Sequence, residues 1–191
     1  MLDGRHAGSD IRAVTRLGLA FLEGMGREGV ATTAKHFPGH GRLSTDPHTT
    51  SSVIDVGPTT LRRTDLTPFQ EMIQAGVQAV MIGPAVFTGL DPHNPAALSP
   101  PVQSMLRYEL GFEGVAIADD LQMRSIQGCR SPSETAIAAL RCGCDLLLVD
   151  GGSVLPLAHD VAHACEAGEL DPARLAEAAG RVRRMATPPR R

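Results

Sequence analysis

Val115-Ala-Ile-Ala-Asp-Asp-Leu-Gln-Met123 decides the reading of the fold. Four apolar residues run without alternation and end at two adjacent carboxylates. An unalternating apolar run suits a strand buried on both faces, as in a parallel sheet covered by helices. The same pattern recurs three times. Residues 30–34 lead into Lys35-His36, residues 79–82 into Gly83-Pro84, and residues 146–149 into Asp150. Helical spacing fills the intervals. It covers residues 10–27 (Ile11, Val14, Leu17, Phe21 and Met25 on one face), 61–75, 102–110, 133–142, 154–167 and 172–185. Ser9 or Asp10 would cap the first of these. Pro68 must fall in the first turn of its helix or kink it. Asp171 and Pro172 make a cap and first position for the last. Residues 35–60 and 83–101 read as long loops. Strands alternating with helices predict an α/β fold with a parallel sheet.

Composition bounds the function. The chain has 191 residues, 42% of them hydrophobic and 20% charged, with a formal net charge of -3. That predicts a single folded domain with no linker dividing it. No basic stretch marks a nucleic-acid footprint. No apolar run approaches the ~18 residues that span a bilayer. The first residues carry no apolar signal-peptide core, which predicts a cytoplasmic protein. Cys129, Cys142, Cys144 and Cys165 are too sparse for a disulfide scaffold, and Cys142-x-Cys144 reads as packing. Lys35 is the single lysine among 18 cationic residues.

The polar groups follow the strands, where parallel α/β folds place their ligand sites. Lys35-His-Phe-Pro-Gly-His-Gly-Arg-Leu-Ser-Thr-Asp-Pro-His48 holds one amine, three imidazoles and a carboxylate. Asp46 two residues before His48 makes an orienting pair suited to acid–base work near neutral pH. The alternative is an ordinary polar surface loop; the density of such groups at a strand end favours chemistry. Of the Asp119-Asp120 pair, both carboxylates cannot be cheaply buried. One is expected to face a site as nucleophile or metal ligand, and the other to cap the next helix or pair with an arginine. His36, His40, Asp46, His48 and Asp119 are all nitrogen or oxygen ligands, so a metal-dependent hydrolase is an alternative, although their spacing matches no short zinc signature. His159 and His163 share a helix face but have no third ligand in sight.

At these motifs the sequence resembles the family 3 glycoside hydrolases, specifically the bacterial β-N-acetylglucosaminidases of the NagZ type. The resemblance rests on Lys35-His-Phe-Pro-Gly-His-Gly41, Asp46-x-His48, Leu110-Gly-Phe-Glu-Gly-Val115 and Ala118-Asp-Asp-Leu-Gln-Met123, in that order. It implies a TIM-like (β/α) barrel and a retaining, two-step mechanism without cofactor or metal. By that resemblance Asp119 is the nucleophile, His48 with Asp46 the acid/base, and Lys35 and His36 bind the sugar. Arg5 matches a sugar-binding arginine in a motif that here reads Arg5-His-Ala-Gly-Ser-Asp10, with two departures. The implied partner is a small carbohydrate substrate, with no nucleic acid or membrane, and the implied setting is peptidoglycan turnover. A related β-glucosidase, a glycoside phosphorylase and an inactive barrel remnant are the alternatives.

Two departures shape the expectation. Family members of this type run to nearly twice the length, and a full barrel takes ~250 residues. Their early strands and an Asp-x-Glu-Gly-Gly segment would precede Arg5, so residues 1–191 are expected to form the C-terminal portion of one catalytic domain, with about half of the barrel strands. A fragment, a misplaced start codon or a degenerate remnant would each produce such a chain. Pro47 within the Asp46–His48 pair also stiffens it.

Overall fold

In the computed structural model, residues 6–43, 52–151 and 154–187 are described. The Asp10 side chain accepts a hydrogen bond from the Ala13 amide and opens α1 (Ile11–Arg27). Gly29, at φ +72°, turns the chain out of it. Then follow β1 (Thr33–Phe37), β2 (Val53–Ile54), α2 (Pro58–Arg63), α3 (Thr67–Gln74), β3 (Ala79–Ile82), β4 (Val86–Phe87) and β5 (Asp91–Pro95). A short 3-10 turn leads to α4 (Pro100–Ser104), which continues as a π turn over Met105–Glu109. The rest comprises β6 (Val115–Ala118), α5 (Arg124–Gln127), α6 (Pro132–Cys142), β7 (Leu146–Leu147), α7 (Val154–Glu166) and α8 (Pro172–Ala186).

Four strands form a parallel sheet in the order β1-β3-β6-β7. This is the expected α/β architecture of a TIM-like barrel, represented among the described residues by about half the strands of a closed one. Register assigns the faces. Ala34, Val80 and Ala116 are aligned across the sheet, and all three join the main core with Phe69, Leu106, Ala136 and Leu140 from the flanking helices. Lys35, Met81 and Ile117 are aligned on the opposite, inner face. There Ala79, Val115 and Ile117 pack with Met81 and with Val182 and Met185 of α8. Helix α8 thus floors the inner face near the strand starts. Asp171 caps it and Pro172 sits in its first turn, as the sequence predicts.

The elements differ from expectation where prolines and polar residues mislead. The first strand begins three residues later and runs through Lys35 and His36. Val30 stays exposed, whereas Phe37 is fully buried and aligned with Ile82. The expected helix over 61–75 is two helices, because Pro68 has no amide hydrogen to continue the first and instead sits in the opening turn of α3. The expected loop over 83–101 contains β4 and β5, which join β2 in a second sheet ordered β2-β4-β5. Pro92 and Pro95 are tolerated because β5 is an edge strand. The helix expected over 102–110 begins earlier and widens into the π turn. Cys144 is buried in the core and Cys142 partly so. Burial pushes both thiols up, Cys142 to about 12, so both are protonated and unreactive at neutral pH. No helix among the described residues is long and apolar enough to cross a membrane.

One buried carboxylate joins the layers. Asp145, immediately before β7, accepts hydrogen bonds at Oδ2 from Arg107 (2.5 Å) and from the Ala116 amide (2.9 Å). Its Oδ1 accepts from Arg174 and from Arg181 (3.2 Å), both on α8. The Asp145 carboxylate is fully buried. Removing it would leave the Arg107 guanidinium without its carboxylate, and Arg174 and Arg181 with only the half-exposed Glu177. Asp145→Ala should therefore lower unfolding free energy by about 3–5 kcal/mol, read from urea or thermal denaturation. A loss below about 1 kcal/mol, the range of an exposed pair, would show that the cluster does not hold the layers.

Candidate active site

The parallel register brings the strand ends to one rim. Phe37 is aligned with Ile82, Ile82 with Ala118, and Ala118 with Leu147. Backbone hydrogen bonds continue one step past the strands. The Gly83 amide donates to the Phe37 carbonyl (2.9 Å), the Asp119 amide to Ile82 (3.2 Å) and the Leu148 amide to Ala118 (3.3 Å). The residues that follow each strand are therefore level with one another.

Asp119 sits in the middle of this rim with 5% of its surface exposed. Its Oδ1 accepts a hydrogen bond from the Asp120 amide at 2.9 Å. Its Oδ2 lies 3.6 Å from Nε2 of His36, within ion-pair reach when the imidazole is protonated. The His36 ring lies against His40, with centroids 4.8 Å apart and planes tilted by 44°. Gly83 makes room for both rings. A methyl group there would lie 3.0 Å from His40 Nδ1 and 3.1 Å from His36 Cβ. The Lys35–His36 and Phe37–Pro38 peptide bonds are both cis, and the strand pairing shifts register between Lys35 and Phe37. Lys35 is exposed on the inner face, level with Met81.

The arrangement joins a nearly buried, backbone-held carboxylate to an imidazole and places an amine on the same face. Such a carboxylate is oriented and poorly hydrated, as a nucleophile requires. Among the described residues, Asp120 plays neither role expected of the second carboxylate. It caps no helix, since α5 starts at Arg124 with Met123 before it. Its Oδ1 instead accepts from the Gln122 amide (3.0 Å) and the Asp150 amide (3.2 Å). Of the residues picked out from sequence, the structure brings together His36 and Asp119, and places Lys35 on the inner face level with Met81 and Ile117. Arg5, Asp46 and His48 lie outside the described residues. The close approach at Gly83 and the ring contact of His40 with His36 were not anticipated; the sequence signals for them are a glycine after β3 and the Gly-His-Gly at residues 39–41. Among the described residues no three His, Cys, Asp or Glu side chains are grouped to hold a metal.

The fold and site define a barrel-type α/β domain with Asp119 and His36 at the carboxyl rim of the sheet. Residues 3–185 match the family described as "Glycosyl hydrolase family 3 N terminal domain". The chain belongs to that family. It is 39% identical over 150 residues to a protein named "Beta-hexosaminidase" from Tolumonas auensis, covering 78% of this chain and 45% of the relative. A protein of the same name from Stenotrophomonas maltophilia is 35% identical over 181 residues, covering 94% of this chain and 53% of the relative. The chain thus spans about half the length of these curated relatives. Among solved structures, a glycoside hydrolase family 3 beta-N-acetylglucosaminidase from Paenibacillus sp. superimposes with a TM-score of 0.89 at 34% identity, covering 95% of this chain and 35% of that one.

Gly83 offers a test of the rim geometry. Gly83→Ala should displace the imidazoles and shift the His36 and His40 ring signals in a 1H–15N NMR spectrum. Unchanged ring signals would contradict the close approach.

Proposed function

We propose that this protein carries the catalytic rim of a retaining exo-β-N-acetylglucosaminidase, residues 1–191 forming the C-terminal portion of its single catalytic domain. The observation that supports this best is Asp119: buried at a strand end, held by the Asp120 amide and facing His36. Family membership and the names of the relatives favour terminal N-acetylglucosamine as the sugar. Fragments of peptidoglycan in the cytoplasm are the substrate class this reading assigns.

In the first step an Asp119 oxygen attacks the anomeric carbon and the bond to the leaving oxygen breaks. His48, oriented by Asp46, gives its proton to that oxygen. The product is a glycosyl ester on Asp119. In the second step His48 takes a proton from water, the water oxygen attacks the anomeric carbon, and the ester bond breaks to free Asp119. Lys35, His36 and Arg5 hydrogen-bond the sugar. A histidine thus replaces the second carboxylate used by most retaining glycosidases. His48 must be charged for the first step and neutral for the second. With an imidazole pKa of ~6.5, turnover should fall on both sides of a mid-range optimum.

Release of chromophore from an aryl N-acetylglucosaminide, measured for this chain beside Asp119→Ala, tests the reading. Turnover by the parent and none by the variant is expected; equal turnover by both overturns it. Running the reaction with and without phosphate separates hydrolysis from phosphorolysis, since phosphorolysis yields a sugar phosphate. His48→Ala should remove most turnover yet partly spare the glycosylation step on aryl glycosides with good leaving groups, which need little protonation. Equal loss on good and poor leaving groups would contradict the acid role.

A further inference from the structure

We propose that Asp120 is a positioning residue for the nucleophile; this rests on the reading of Asp119 given above. The peptide N–H of Asp120 is the donor that holds Asp119 Oδ1. Where that N–H points depends on the turn that follows β6. The Asp120 carboxylate fixes that turn from two sides. It accepts from the Gln122 amide within the turn and from the Asp150 amide in the segment after β7. The Leu121 amide adds a bond to the Leu148 carbonyl (3.0 Å), and the Met123 amide closes the turn on the Asp120 carbonyl (3.0 Å).

The β6 turn is thereby stapled to the next strand's exit, 30 residues along the chain. Asp119 itself is nearly buried, whereas Asp120 is only partly so. Its carboxylate oxygen Oδ1 is engaged with the Gln122 and Asp150 amides. Its contribution is therefore to aim an amide, not to touch the sugar. What the role needs is an oxygen acceptor of the right reach, not a negative charge. An asparagine oxygen meets that need.

The two substitutions separate these cases. Asp120→Ala should lower kcat on an aryl N-acetylglucosaminide by about tenfold to a hundredfold, the cost of a misaimed reacting group, with KM little changed. Asp120→Asn should restore kcat to within about fivefold of the parent, by keeping both acceptor bonds. Asp150→Pro removes the donor from the other side of the staple and should reproduce the Asp120→Ala loss, while Asp150→Ala should not. Parent-like kcat in Asp120→Ala, or a loss in Asp120→Asn as deep as in Asp120→Ala, overturns the proposal. Amide hydrogen exchange gives a readout that needs no turnover. The amides of residues 120 and 150 should exchange slowly in the parent and in Asp120→Asn, and quickly in Asp120→Ala. Unchanged protection in Asp120→Ala overturns the staple outright. If Asp119→Ala keeps full activity, the nucleophile reading falls, and the exchange result still decides the staple by itself.

Discussion

The carboxylate of Asp145 is the interaction on which the rest of the structure depends. It binds the Ala116 amide of β6, the guanidinium of Arg107 from the π turn, and Arg174 and Arg181 of α8. Arg107 extends the network to the Phe112 and Gly114 carbonyls, just ahead of β6. A charge this deeply buried is tolerated only when its lone pairs are filled. Four donors fill them. The consequence is geometric: β6 and β7 start in fixed register, and α8 is held beneath the inner face.

A register set at the bottom of a parallel sheet is carried to its top. Because β1, β3, β6 and β7 are aligned and short, their ends are level, and the groups that follow them converge. Asp119 emerges beside the exit of β3, where the lack of a side chain on Gly83 lets His36 and His40 approach. Val182 and Met185 pack on the inner face against Ala79, Met81, Val115 and Ile117, and Lys35 lies level with Met81 on that face. Burial limits the hydration of Asp119, and the Asp120 amide replaces part of what water would have supplied.

Much of this was legible in the amino-acid order, and the rest was not, for physical reasons. Strands β3 and β6 match their apolar runs because both faces are covered, one by the crossover helices and the other by α8. Asp10, Asp171 and Pro172 mark helix starts by local chemistry alone. Strand β1 begins later than its apolar run because Lys35 and His36 resemble loop residues; they are strand residues because Phe37 beyond them reaches the core. The β4–β5 ribbon was hidden by Pro92 and Pro95, which only an edge strand accepts. The Asp145 cluster was invisible, since nothing local tells Arg107, Arg174 and Arg181 apart from the chain's other arginines. At the site, the Asp119-Asp120 pair signals that one carboxylate faces the rim and one does not. The partners of the second, the Gln122 and Asp150 amides, depend on how two strand exits meet. Asp46 and His48 stand on their sequence pattern alone.

The central claim is that Asp119 forms the bond to the sugar. A 5-fluoro N-acetylglucosaminyl fluoride, which slows breakdown of a glycosyl ester more than its formation, tests it most directly. The protein is incubated with the reagent, digested, and mapped by mass spectrometry. The account predicts one sugar adduct, on the peptide and side chain of Asp119. An adduct on any other residue, or none in a sample that turns over the chromogenic substrate, would contradict it.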